Sequence, residues 1–486
     1  MLFNSFQFLV FFPVVTAIFF LLPHRYRWFH LLMASCVFYM AFIPYYILIL
    51  FALILIDYYA GLLIEKASGN RRKFYLIISL AANIGMLAFF KYYDFFVDNL
   101  NSLLSIGGGA ASLPLLRIIL PIGLSFHTFQ AMSYTIEVYR GTYPAERHFG
   151  IYALYVMFYP QLVAGPIERP QNILPQLHEE KIFDYDNVAS GLRLMAWGLF
   201  KKVVIADRLA AMVNEVYGHP EQFRGLPLLV ATGFFSFQIY CDFSGYSDMA
   251  RGAARVMGFK LMLNFDRPYF AQSIGEFWRR WHISLSTWFK DYVYIPLGGN
   301  RVSVPRNYLN LLLIFLLSGL WHGPSWTFVM WGALHGSYLI MAHLTVNLRT
   351  SLIKRLHLPA LNHPLVSIFF TFGLVTFAWI FFRANNLSDA FYIVRHLADN
   401  AESLRHGATW YGLETVSSFY TMGEWLALAG ALAILLLVEN SQRRVAVGAW
   451  LTRQAAPVRW SLYYGIVGYI ALLGAFKELK FIYFQF

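Results

Sequence analysis

An all-α, polytopic integral membrane protein is what this 486-residue sequence predicts, and three observations carry the prediction. Hydrophobic residues make up 58% of the chain and charged residues only 13%, against roughly 25% charged in soluble domains. Apolar runs of about 20 residues, the length that crosses a bilayer, recur from end to end. The cations sit in short segments between those runs, the pattern of cytoplasmic loops. A net charge of +12 would suit nucleic acid only if it were gathered on one soluble face, so no nucleic-acid partner is expected. Cys36 and Cys241 lie in apolar surroundings without metal-ligand spacing, which predicts buried thiols and no metal site.

In order along the chain, residues 3–22 form the first apolar segment. It lacks a basic start and a small-residue cleavage site, so it reads as a retained span with its N-terminus outside. Residues 29–64 are too long for one crossing and are divided at Pro44. The basic group Lys66, Arg71, Arg72 and Lys73 belongs inside, and residues 74–93 cross outward. Residues 94–112, with acids and Gly107 to Gly109, are expected to be an outer loop. Residues 113–138 form an apolar stretch interrupted by Pro121 and Gly123. The segment AGPIERPQNILPQL is expected to be a shaped loop or shallow re-entrant piece, because Pro166, Pro170 and Pro175 disfavour a helix.

Residues 188–209 read as an amphipathic interfacial helix, with Lys201, Lys202 and Arg208 facing an anionic leaflet. Residues 226–240 run into CDFSGYSDMARG, where Asp242 and Asp248 either face a cavity or pair with Arg251 or Arg255, or cap a helix at the interface. Spans follow at 324–344, 364–382, 425–438 and 460–476, with a polar insert at 387–419. The total is about ten to twelve crossings plus re-entrant and interfacial helices. No soluble domain is apparent, so residues 1–486 read as one membrane-embedded domain, its core motifs at 226–345.

The chemistry is expected in the stretch from Glu276 to His335. Read as one helix, residues 274–290 place Phe277, Trp278, Trp281, Leu285, Trp288 and Phe289 on one arc, with His282 at its edge. The uncharged run of residues 308–321 ends at His322, followed by Gly323 and Pro324, which predicts a helix break at that histidine. Irregular backbone at membrane depth is tolerated only inside protein or beside water. There is no GxSxG elbow, HExxH, P-loop or dinucleotide turn, which removes the usual hydrolase, metalloprotease and nucleotide readings. A neutral imidazole in a low-dielectric, aromatic site suits a general base that takes a proton from an acceptor hydroxyl attacking an acyl group. A packed core histidine is the plainer alternative.

FWRRWHISLSTWFKDYVYIPLGGNR followed by SGLWHGPSWTFVMWGALHG resembles the signature of the membrane-bound O-acyltransferase family, in its bacterial alginate O-acetyltransferase branch. The likeness continues in register through FNSFQFLVFFPV, FKYYDFFVDNLN, LPIGLSFHTFQAMSYTIEVYRG, AGPIERP, CDFSGYSDMARG and FFRANNLSDAF. The resemblance implies helices around a central tunnel, with His322 as catalytic base and His282, 40 positions upstream, as its companion. Trp278, Trp281, Trp321, Trp326 and His335 are candidates to line that tunnel, as is Asp242; simple packing is the alternative for the aromatics and His335. Arg279 and Arg280 could attract the phosphates of an acyl-coenzyme A, or snorkel at the interface. His127 is expected to be a core residue.

The implied protein is an inner-membrane O-acetyltransferase with no bound cofactor and acetyl-coenzyme A as donor. Its partners would be membrane lipid, periplasmic or membrane-anchored SGNH-type transfer proteins and, through them, an exopolysaccharide such as alginate. Two alternatives stand beside it. One is a relative passing D-alanine from a carrier protein to teichoic acid; the other is a transporter whose histidines relay protons.

Overall fold

The computed structural model describes residues 1–106, 112–163, 165–355, 363–399, 412–476 and 482, with the side chains at 352 and 353 left aside. Helices and extended connections make up these residues, and among them there is no β-strand. Among the described residues, six helical runs are long and apolar enough to cross a membrane: Pro44–Lys66, Gly69–Ile106, Leu226–Val256, Val304–His322, Pro364–Arg383 and Met422–Ser441. A shorter apolar helix covers Phe6–Leu21. The glycine run at 107–109, much of the polar insert and Ala164 of AGPIERP lie outside the described residues.

The chain divides into two compact units, Met1–Met195 with Ser247–Met262, and Ala196–Tyr246 with Leu263–Phe486. In the first, helices α1 (Phe6–Leu21) and α2 (His24–Met40) precede α3 (Ile47–Lys66), which packs against α4 (Gly69–Leu87), α6 (Leu124–Arg140) and α7 (Phe149–Met157). Pro44 separates α2 from α3 as expected, since the residue before a proline leaves the helical region. The expected outer loop after residue 93 is instead helix α5 (Tyr93–Ile106), which continues α4 through a π-helical turn. Its polar groups serve the returning chain: Asp94 accepts from the backbone N–H of Leu116 and Arg117 at 2.8 and 2.9 Å, and Asn101 from that of Leu113 at 2.8 Å.

The proline-rich segment also departs from expectation, because Pro170–His178 is a helix. Pro170 stands in its first turn, where no N–H is needed. Upstream, the Glu168 carboxylate anchors the loop by accepting from the backbone N–H of Met262 and from the Asn172 amide, and burial raises its carboxyl from the ordinary 4.5 to about 7.

In the second unit, Lys201 and Lys202 are not on a solvent face; each is 3% exposed. A π-helical turn over Phe200–Ala206 shifts the helical register there and turns both lysines inward. The Lys202 ammonium meets Asp207 at 2.7 Å and Asp242 at 2.9 Å, and Lys201 donates to Ser244 at 2.9 Å. Asp242 therefore pairs with a lysine 40 positions away rather than with an arginine of its own helix; in the first unit, Asp248 does pair with Arg251 at 3.3 Å.

The site is held by α15 (Val304–His322) and α16 (Trp326–Arg355). These two helices cross closely because Gly319 and Gly332 present no side chain: a Cβ on Gly319 would run into the Phe328 carbonyl, and one on Gly332 into the Phe315 carbonyl. Helix α16 runs on through Arg349, Lys354 and Arg355, past residue 344 where the span was expected to end.

Candidate active site

His322 is the last residue of α15, as the Gly323-Pro324 pair predicts. Gly323 is extended, and its N–H still reaches the Gly319 carbonyl at 3.3 Å. The ring is 5% exposed and packs edge-on against Trp331 at 5.1 Å, Phe382 at 5.1 Å and its neighbour Trp321 at 4.9 Å, centroid to centroid.

His282 departs from the single helix expected over 274–290. The chain makes two short helices, α13 (Ile274–Arg280) and α14 (Ile283–Phe289), and His282 stands between them in the left-handed region, φ 43° and ψ 54°. An L-residue there is strained by about 1–2 kcal/mol, so something must hold it. The clamp is Asn264: its carbonyl accepts the Ile283 N–H at 2.9 Å, and its side-chain oxygen accepts Ser284 Oγ–H at 2.6 Å and Ser284 N–H at 3.3 Å. Asp266 N–H reaches the Arg280 carbonyl at 2.9 Å, closing the same bend. The His282 ring is fully buried, 4.6 Å from Phe243 and 6.1 Å from Trp321. Burial pushes it from 6.5 down to about 3, which keeps the imidazole neutral.

Trp321 thus stands between the two histidines, in ring contact with both. A third, His335, joins the cluster from α16: Trp331 lies 5.1 Å from His322 and 5.0 Å from His335. Trp278 donates its indole N–H to His335 Nδ1 at 3.2 Å, so the ring proton of His335 resides on Nε2. Trp281 is buried and 5.1 Å from Trp379, which stacks on Trp331 at 5.8 Å.

The remaining candidates fall outside this cluster or are committed elsewhere. Trp326 is 54% exposed. Arg280 is ion-paired with Glu276 at 2.6 Å, and Arg279 is exposed. Asp242 uses one carboxylate oxygen for Lys202 and the other for the backbone N–H of Ile482 at 2.9 Å, a bracing role. In the other unit, His127 is buried and packs 6.2 Å from Tyr39. Sequence reasoning did not single out Phe243, Asn264, Trp331, Trp379 or Phe382; each is one apolar or amide residue among many, with no local signal.

Two buried imidazoles in aromatic walls, with His282 held neutral, suit proton transfer to and from an oxygen or sulfur that has been stripped of water. Comparison with known proteins gives the family. Residues 144–383 match the model of MBOAT, the membrane-bound O-acyltransferase family. The chain is 41% identical over 394 residues to "Probable alginate O-acetylase AlgI" of Pseudomonas aeruginosa, covering 80% of this chain and 73% of that protein. It is 36% identical over 408 residues to the peptidoglycan O-acetyltransferase of Helicobacter pylori, 77% of this chain and 75% of the other. It is 28% identical over 282 residues to the teichoic acid D-alanyltransferase of Streptococcus thermophilus, 54% and 68%. Helical spans and matches together define a multi-pass membrane acyltransferase. More particularly, the chain belongs to the membrane-bound O-acyltransferase family.

Proposed function

We propose that this acyltransferase takes acetyl from cytoplasmic acetyl-coenzyme A and passes it through the bacterial inner membrane for O-acetylation of an extracytoplasmic polysaccharide. Relatives named for alginate and for peptidoglycan O-acetylation support acetyl as the group and a polysaccharide as its destination. The D-alanyl relative matches a shorter part of the chain at lower identity, which favours acetyl over D-alanyl. The basic group at 66–73 favours an extracytoplasmic N-terminus by the positive-inside rule. Delivery to the polymer would run through SGNH-type partners outside the membrane.

The observation that carries the reading is His322 at the C-terminal end of a helix, walled by aromatic rings, with neutral His282 on the far side of Trp321. His322 removes the proton from the acceptor hydroxyl as its oxygen attacks the thioester carbonyl. The positive charge that develops on the ring is stabilised by the negative end of the α15 dipole. The tetrahedral intermediate collapses, the carbon–sulfur bond breaks, and the imidazolium returns its proton to the leaving thiolate. An acetyl ester and free coenzyme A thiol result. His282, held neutral, offers an N–H to the carbonyl oxygen as charge gathers on it.

The test is thiol release from acetyl-coenzyme A by the purified protein, paired with polysaccharide acetylation in cells. His322→Ala at normal abundance should lower both by about 100-fold or more, the range of general-base losses. Undiminished acetylation in that variant would overturn the assignment, and acyl movement without thiol release would favour a transporter.

A further inference from the structure

A cavity of about 200 Å³, many times the room one water needs, lies in the first unit beside the start of α2. Its apolar lining is buried: Phe19, Leu31, Ile151, Leu154, Leu177 and Phe259 are each no more than 6% exposed. Its cations come from two places in the chain. Arg25 and Arg27 belong to the first turn of α2, and Lys181 follows the helix Pro170–His178. Against these three the lining offers one carboxylate, Glu179, so two positive charges are in excess there with His24, His148 and His178 neutral. Glu146, outside the lining, is taken up by the His178 ring at 2.8 Å and the His148 backbone N–H at 2.8 Å.

The arginines keep donors to spare. Arg27 donates to the carbonyls of Leu22 at 2.8 Å, of Phe20 at 3.5 Å and of Lys181, and lies over the Phe19 ring at 5.0 Å. Those bonds fix the guanidinium and use three of its five N–H groups, leaving two for a ligand. Lys181 meets Glu179 at 2.6 Å, whereas among the described residues neither Arg25 nor Arg27 has a carboxylate partner. The first turn of α2 also carries no acid and has no side-chain cap, so the positive end of the helix dipole adds to the arginines instead of being offset.

Residues next in the chain to the lining are apolar and exposed: Leu21 at 83%, Ile182 at 77% and Phe183 at 64%. Phe183 packs edge-on against Phe20 at 5.4 Å, which joins the apolar surface of the two segments. A free inorganic anion would use the cations and leave that surface bare, while an anionic lipid uses both. By the positive-inside rule Arg25 and Arg27 lie at the cytoplasmic leaflet, where anionic lipid is at hand.

We propose that this cavity binds one anionic phospholipid, its phosphate taken by Arg25, Arg27 and Lys181 and its acyl chains laid along Leu21, Ile182 and Phe183. The lipid ties the α1–α2 turn to residues 179–183. The site uses none of the residues of the histidine cluster and does not depend on the acyl-transfer reading.

The test uses the full-length protein purified in a neutral maltoside detergent and freed of native lipid. Phosphatidylglycerol should raise the thermal midpoint by roughly 2–4 °C over the same amount of phosphatidylcholine, and native mass spectrometry should find about one phosphatidylglycerol retained per chain. Glycerol 3-phosphate and coenzyme A, which carry the phosphate without the acyl chains, should leave the midpoint unchanged. Arg25→Glu, at an exposed position, should hold the midpoint in phosphatidylcholine within about 2 °C of the wild type and weaken phosphatidylglycerol retention roughly tenfold or more. Arg71→Glu, the same charge change outside the lining, should retain the lipid as the wild type does. Equal retention of the two lipids, like behaviour of the two variants, or equal stabilisation by glycerol 3-phosphate or coenzyme A would overturn the proposal.

Discussion

His282 is the residue at which backbone and side chain can be separated by experiment. Its left-handed conformation, φ 43° and ψ 54°, is one that glycine adopts freely, asparagine tolerates and alanine resists by about 1–2 kcal/mol. Glycine in turn gains unfolded-chain entropy worth about 0.4–1 kcal/mol. His282→Gly should therefore unfold about 0.5–1 kcal/mol harder than His282→Ala, the reverse of the order expected inside a helix. Both should fall about 2–4 kcal/mol below the wild type, because a fully buried ring among Phe243, Phe265 and Trp321 leaves a cavity. Thermal unfolding in detergent reads the stabilities, and thiol release from acetyl-coenzyme A reads the chemistry. If the imidazole itself polarises the acyl group, Ala and Gly variants lose activity equally, by about 100-fold or more, while Asn keeps part of it. An Ala variant as stable as Gly would show that the bend does not need the left-handed residue. A Gly variant with full activity would show that the bend matters and the ring does not.

Lys202→Met should cost about 3–5 kcal/mol and sharply lower the amount of folded protein, since it leaves Asp207 and Asp242 buried without their cation; adding Asp207→Asn and Asp242→Asn should recover most of the loss in a thermal-unfolding assay. Glu168 has its carboxyl raised from 4.5 to about 7, so the folded protein holds that proton more tightly than the unfolded chain does. Its contribution to stability is complete below pH 4.5 and is lost as pH rises through about 7, on the order of 3 kcal/mol across the window. Glu168→Gln should flatten the midpoint-against-pH curve over that range, and a wild-type curve that rises with pH there would refute the assignment.

The departures from the sequence reading share one cause. Lys201 and Lys202 read as a basic surface because helical spacing sets them beside Trp197 and Phe200, but their partners Asp242 and Ser244 come from a helix 40 or more residues away. The break at His282 carries no glycine or proline, and the apolar period runs through it undisturbed. It exists because Asn264 and Asp266, upstream in the chain, supply the hydrogen bonds that a continuous helix would have made internally. The acid-bearing segment after residue 93 looked like a loop because Asp94 and Asn101 have no local use, yet both serve a chain that returns some 12 to 23 residues later.

By itself the sequence determined the helical membrane class, the divisions at Pro44 and at Gly323-Pro324, and the placing of His322 at a helix end. These follow from bilayer length, from the missing proline N–H and from the conformations a short stretch of chain permits. Tertiary structure alone decided that His282, His322 and His335 share one aromatic cluster through Trp321 and Trp331, and that Asp242 pairs with Lys202. Those outcomes depend on which distant side chain fills a neighbouring space or neutralises a buried charge, and no local pattern records that.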